Sequence, residues 1–191
     1  MKRLRKLHSK AAPLVFIPLL LTALTGIGYR LGRSWLGISD TLAGRLMSLH
    51  EGRFLGSALV PIYVLLVGLG LVGMVATGIT MIRLNRASLA APAKRKGRWI
   101  HQILAPITLL PLLLTALTGM AYRLGRAWFG LSGDQASLLM RLHQGSYLGN
   151  TLKPLYVLFV GAGLIALLWT GIQMTAIFRE RRASRASQSP E

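Results

Sequence analysis

The string "LLLTALTG" stands at residues 19–26 and returns unchanged at residues 112–119. Eight apolar or small residues carry no chemistry, so the repetition matters for the register it sets. A shift of 93 residues lays Arg3–Arg86 on Lys96–Arg179 without a gap, and about half of the aligned positions are identical. "LLLTALTGIGYRLGRSW" faces "LLLTALTGMAYRLGRAW", and "LMSLHEGRFLG" faces "LMRLHQGSYLG". "VPIYVLLVGLGL" faces "KPLYVLFVGAGL", and "TGITM" faces "TGIQM". The chain reads as one unit written twice, with residues 1–90 as the first unit, 91–179 as the second and 180–191 as a polar, disordered tail.

Each unit holds two long apolar runs. They lie at about 14–29 and 59–82 in the first unit, and at about 103–122 and 155–178 in the second. A helix needs roughly 20 apolar residues to cross hydrocarbon. Lipid offers no partner to a free backbone group, so such runs span as helices. The expected fold is an all-α integral membrane protein with four transmembrane helices, built as two tandem helix hairpins. An even number of spans per unit gives both halves the same topology, related by a pseudo-twofold axis along the membrane normal.

The 191 residues carry a formal charge of +18, in blocks between the apolar runs. A nucleic-acid-binding domain spreads its charge over the surface of an ordinary core, so nucleic acid is not an expected partner. Lys2, Arg3, Arg5, Lys6 and Lys10 precede the first run, Arg83, Arg86, Lys94, Arg95, Lys96 and Arg98 fill the middle connection, and Arg179, Arg181, Arg182 and Arg185 follow the last. Four spans put these segments on one side, which the positive-inside rule makes cytoplasmic. A multi-pass protein of the bacterial inner membrane, or of another internal membrane such as the thylakoid, fits this pattern. The basic blocks would also attract anionic lipid headgroups. The basic start and apolar run resemble a secretory signal, but the same string recurs internally, so a retained helix is expected.

With no cysteine in the chain, disulfides, iron–sulfur clusters and thiolate metal sites are excluded. The histidines number four, at His8, His50, His101 and His143, and the shift of 93 carries His8 onto His101 and His50 onto His143. His8 and His101 stand at the cytoplasmic mouths of the first and third spans. His50 and His143 come after about twenty residues of helix, near the opposite face. Two pairs result, one per membrane side, each joining the two halves.

Paired neutral imidazoles are the arrangement that holds b-type haem iron from both axial sides. They could equally be interfacial histidines bonded to headgroups, or part of a Zn, Cu or Ni site. Arg30 and Arg33, matched by Arg123 and Arg126, lie near the His50/His143 level, where they could bind haem propionates or lipid phosphate. Arg5 and Arg98 take that role for a haem at the cytoplasmic side. Thr25–Gly26, Thr118–Gly119, Gly68, Gly70, Gly161 and Gly163 offer helix faces that a flat macrocycle or a neighbouring helix could approach. Trp35, Trp128, Tyr29 and Tyr122 read as an interfacial aromatic belt. Pro18 and Pro111 read as kinks, and Pro61 and Pro154 as helix starts.

These residues, in this order, resemble the PepSY-associated transmembrane helix family. The unit reads His8, "LTG" at 24–26, Trp35, "LHEG" at 49–52 and "TG" at 77–78, then again His101, "LTG" at 117–119, Trp128, "LHQG" at 142–145 and "TG" at 170–171. The resemblance covers nearly all of the chain up to Arg179. Family members include bacterial inner-membrane reductases of siderophore-bound iron. The resemblance implies two b haems per chain, ligated by His8 with His101 and by His50 with His143. The chain departs from larger members in having no inserted PepSY domain and no flavin or nicotinamide module. The "HRW" frequent in the family is "HSK" and "HQI" here.

Two functions follow as expectations. The first is a di-haem membrane cytochrome, an oxidoreductase component passing electrons from a partner protein or quinol to an extracytoplasmic acceptor such as ferric iron or another protein. The second is a haem-free structural or assembly subunit of a larger membrane complex. Metal transport ranks last, because the runs hold almost no polar groups beyond threonine.

Overall fold

The computed structural model describes residues 2–83 and 96–175; the polar tail, and Arg86, Lys94 and Arg95 of the middle connection, lie outside the described residues. Helix α1 spans Lys2–Leu31 and ends in a five-residue π-helical turn, Gly32–Leu36. A short helix α2, Asp40–Glu51, and a single 3-10 turn, Arg53–Leu55, lead into α3, Val60–Arg83. The second half repeats this order as α4, Lys96–Trp128, α5, Gly133–His143, a 3-10 turn, Ser146–Leu148, and α6, Gly149–Gln173.

Four stretches are long and apolar enough to cross a bilayer: Arg3–Leu36, Val60–Thr80, Gly97–Trp128 and Ser146–Gln173. The chain is an all-α, multi-pass membrane protein. Its outward faces carry large apolar side chains such as Leu14, Ile17, Leu66, Leu110 and Trp169, which suit hydrocarbon rather than water. The interior is a thin seam of Leu19, Ala23, Leu112, Val160, Leu164 and Leu168, drawn from α1, α4 and α6.

Packing respects the repeat. Helix α1 packs on α6 and α3, and the equivalent α4 packs on α3 and α6, so α1 stands diagonally across from α4. The same symmetry governs small-residue contacts. Gly68 of α3 lies against Met120 of α4, and its equivalent Gly161 of α6 lies against Ile27 of α1. Gly70 lies against Val15, and its equivalent Gly163 against Thr108. These glycines serve helix–helix approach.

Helices α1 and α4 continue through Pro13 and Pro18, and through Pro106 and Pro111. Thr22 and Thr115 return their hydroxyls to the carbonyls of Pro18 and Pro111 at 2.9 and 3.0 Å. Pro61 sits in the first turn of α3, as a helix start should. Pro154 does not mark a start: α6 begins at Gly149, and Pro154 is fully buried inside it. The preceding 3-10 turn lets helical backbone begin a turn earlier than the proline signal indicates.

The short helices are built from local signals. Ser39 and Ser132 sit at the N-caps of α2 and α5, accepting from the backbone N–H groups of Leu42 and Gln135. In α5 the Gln135 side chain also accepts from the Ser132 backbone, completing a capping box. Gly52 and Gly145 follow at φ +75° and +69°, where a Cβ would also strike the rings of Tyr63 and Tyr156. Glycine is required there twice over, which explains the repeated Leu-His-x-Gly.

Candidate functional site

The fold brings His50 and His143 together. They arrive on α2 and α5, and their ring centroids lie 6.4 Å apart with planes at 72°. Each ring is seated against the diagonal helix pair by glycine. A Cβ on Gly26 would stand 3.0 Å from His50 Cε1, and one on Gly119 would stand 2.9 Å from His143 Cε1. The Thr-Gly pairs of α1 and α4 are thus seats for imidazoles rather than smooth faces alone.

Hydrogen bonds fix both rings. His50 Nδ1 lies 2.9 Å from the Thr22 carbonyl, and His143 Nδ1 lies 2.8 Å from the Thr115 carbonyl. A carbonyl only accepts, so Nδ1 carries the proton and, in a neutral ring, Nε2 is left with a bare lone pair. Burial holds both imidazoles below their ordinary range. For His143 the value falls to about 4, through burial first and the neighbouring His50 second. Both rings are therefore neutral near pH 7.

His8 and His101 are handled by a second device. His8 Nδ1 lies 2.7 Å from the Thr77 hydroxyl of α3, and His101 Nδ1 lies 2.9 Å from the Thr170 hydroxyl of α6. Those hydroxyls donate to the Gly73 and Ala166 carbonyls at 2.8 and 2.7 Å, so they accept from the imidazoles. Again Nδ1 bears the proton. The glycine after each threonine leaves room: a Cβ on Gly171 would stand 3.5 Å from His101 Cε1, and one on Gly78 would stand 4.0 Å from His8 Cε1.

A cavity of about 230 Å³ opens between the halves at the short-helix end. His50 and His143 line it, with Val64, Val67 and their equivalents Val157 and Val160 among its apolar walls. Arg30, Arg123, Glu51 and Gln144 line it too. Arg30 donates to Gln144 Oε1 at 2.5 Å, and its equivalent Arg123 forms an ion pair with Glu51, the equivalent of Gln144. Each arginine therefore reaches across the pseudo-twofold axis.

The remaining arginines are placed differently. Arg33 pairs with exposed Asp40 at 2.6 Å, and Arg126 donates to the Leu131 carbonyl at 3.3 Å. Both pin the turns after α1 and α4 and do not line the cavity. Arg5 and Arg98 are exposed. Tyr29 and Tyr122, read from sequence as belt residues, line the cavity instead, while Trp35 and Trp128 are half exposed at the helix ends.

Sequence reasoning missed Tyr63 and Tyr156. They line the cavity, and their hydroxyls, with Arg30 Nε, are the buried side-chain polar atoms without a partner among the described residues. Their signal was the repeated "Pro-x-Tyr-Val" opening of α3 and α6. Among the described residues, no three His, Asp or Glu side chains gather as a metal-holding cluster. No family model, curated protein or solved structure matches the chain.

Proposed function

We propose that the chain is a di-haem b-type membrane cytochrome of the PepSY-associated kind, moving electrons between partners on opposite sides of a bacterial inner membrane. The observation that carries this reading is the His50–His143 pair. His50 and His143 would hold one haem iron between their rings. The observed separation is 6.4 Å.

Three further features support the reading. All four imidazoles commit Nδ1 to the protein, the usual way that a metal-binding histidine is oriented and made more basic. The cavity between His50 and His143 has apolar walls and cationic groups at its short-helix end, which matches an apolar macrocycle with carboxylate tails. The two pairs sit at opposite ends of the spans, so two sites would form a path across the bilayer.

When bound, haem would supply reversible one-electron transfer. His8 with His101 would hold one haem and His50 with His143 the other. The protein's part is to orient the ligands, exclude water and balance charge. The donor is a quinol or a redox partner protein on the cytoplasmic side; the acceptor is ferric iron or another protein outside. The basic blocks support a cytoplasmic location for the N-terminal, middle and C-terminal basic segments.

The test is an oxidised-versus-reduced visible spectrum of the detergent-purified chain, with pyridine haemochrome quantification. A sharp b-type α-band at about two haems per chain is expected. Folded protein that stays colourless despite ample haem during expression rejects the reading.

A further inference from the structure

We infer that the cavity at the short-helix end seats one carboxylate of its ligand on Arg30, and that the equivalent Arg123 seats none. The inference rests on the haem reading above and assigns to one haem propionate a place that the pseudo-symmetry alone leaves double.

Duplication offers two equivalent arginines, but three substitutions between the halves make their surroundings unequal. Glu51 in the first half is Gln144 in the second, Arg53 is Ser146, and Val60 is Lys153. Arg123 is already balanced: its guanidinium pairs with Glu51, whose carboxylate is largely buried and is also held by Arg53 at 2.7 Å. Arg30 has no anionic partner among the described residues: it donates to the neutral Gln144 amide and lies 5.6 Å from the Tyr29 ring centroid. Its Nε is buried with no partner among the described residues. Among the residues that line the cavity, the Arg30 side thus holds a positive charge and no negative one.

The geometry of the guanidinium specifies what is missing. Nε and Nη2 form one edge of the fork. Nη2 spends one N–H on Gln144, and Nε spends none. The unpartnered Nε–H, on the same guanidinium as the Nη2 that holds Gln144, is the donor left for a carboxylate oxygen. At the Arg123 side an incoming carboxylate would instead meet Glu51, and like charges there repel.

The experiment uses the full chain in detergent, expressed without haem, on a His8→Ala/His101→Ala background so that only the His50/His143 site reads. Ferric protohaem and its dimethyl ester, in which both propionates are blocked, are titrated in and followed by their visible spectra. The expected result is tighter binding of the acid, on the order of tenfold or more for a charge-assisted hydrogen bond. Arg30→Gln should remove that preference and Arg123→Gln should keep it. Gln144→Glu gives Arg30 a resident anion and should remove the preference too, so the inference stays testable if Arg30→Gln fails to fold. Equal affinity for acid and ester overturns the inference, and so does a preference that survives Arg30→Gln. Equal affinity together with anionic phospholipid retained by the parent and lost in Arg30→Gln assigns the fork to a lipid phosphate instead. Uptake of neither compound overturns the haem reading and this inference with it, an outcome distinct from equal uptake of both.

Discussion

At the scale of single residues, the site depends on atoms that are absent. Gly26 and Gly119 leave the space into which His50 and His143 fit, with an added Cβ only 3.0 and 2.9 Å from the rings. Gly119→Ala is expected to displace the His143 ring, at about 1–3 kcal/mol as for other overpacked sites. Gly44→Ala, in open space on α2, should be neutral or stabilising by up to about 1 kcal/mol. Thermal melts of the two variants check the contrast. A second prediction concerns protons. His143 is held at about 4 against an ordinary 6.5, so the folded chain binds fewer protons than the unfolded chain between those values. Stability from this source is complete above pH 6.5 and is lost as pH falls toward 4. In the haem-free chain, His143→Asn should flatten the fall of melting temperature between pH 6.5 and 4.5. A fall as steep as the parent's would contradict the assignment.

At the scale of elements, each long helix positions a histidine that it does not carry. Helix α6 supplies the Thr170 hydroxyl to His101, and α1 supplies the Thr22 carbonyl to His50. Thr170→Val leaves the His101 N–H without an acceptor and should cost about 1–3 kcal/mol, whereas Thr170→Ser keeps the hydroxyl and should cost much less. A melt showing equal losses for both variants would mean that packing, not the hydrogen bond, matters there. The elements also show how far a sequence can be read. Four spans, two short amphipathic pieces and the histidine pairing follow from apolar run length and a constant shift. The roles of Tyr29 and Tyr122 do not, because a tyrosine near the end of a span fits the lipid interface and an internal cavity equally well. Nor does Arg30 reveal its singularity, since its neighbour Gln144 lies 114 residues away and reaches it only across the axis. Tyr63 and Tyr156 turn inward because Gly52 and Gly145 adopt positive φ and leave room for their rings, which a repeated motif records without explaining.

At the scale of the whole molecule, duplication explains both the symmetry and its breaking. Two hairpins with one topology put like residues at like depth, so a histidine in one half finds its copy in the other. Differences such as Glu51 against Gln144 then make the halves chemically unequal. The basic blocks predict that α2 and α5 both face away from the cytoplasm. Because the chain has no cysteine, Ser39→Cys and Ser132→Cys each introduce a unique thiol. Both should react with a membrane-impermeant maleimide added to intact cells. Labelling of one without the other would contradict the parallel arrangement of the halves.

The central claim is that the four histidines work as two pairs across the axis, one haem to each pair. Haem stoichiometry in single and paired alanine variants measures this most directly. His50→Ala, His143→Ala and the two combined should each retain about one haem per chain, while His50→Ala with His101→Ala should retain none. If the loss follows the half of the chain rather than the pair, so that His8→Ala with His50→Ala spares one haem and His50→Ala with His143→Ala spares none, the pairing across the axis is wrong.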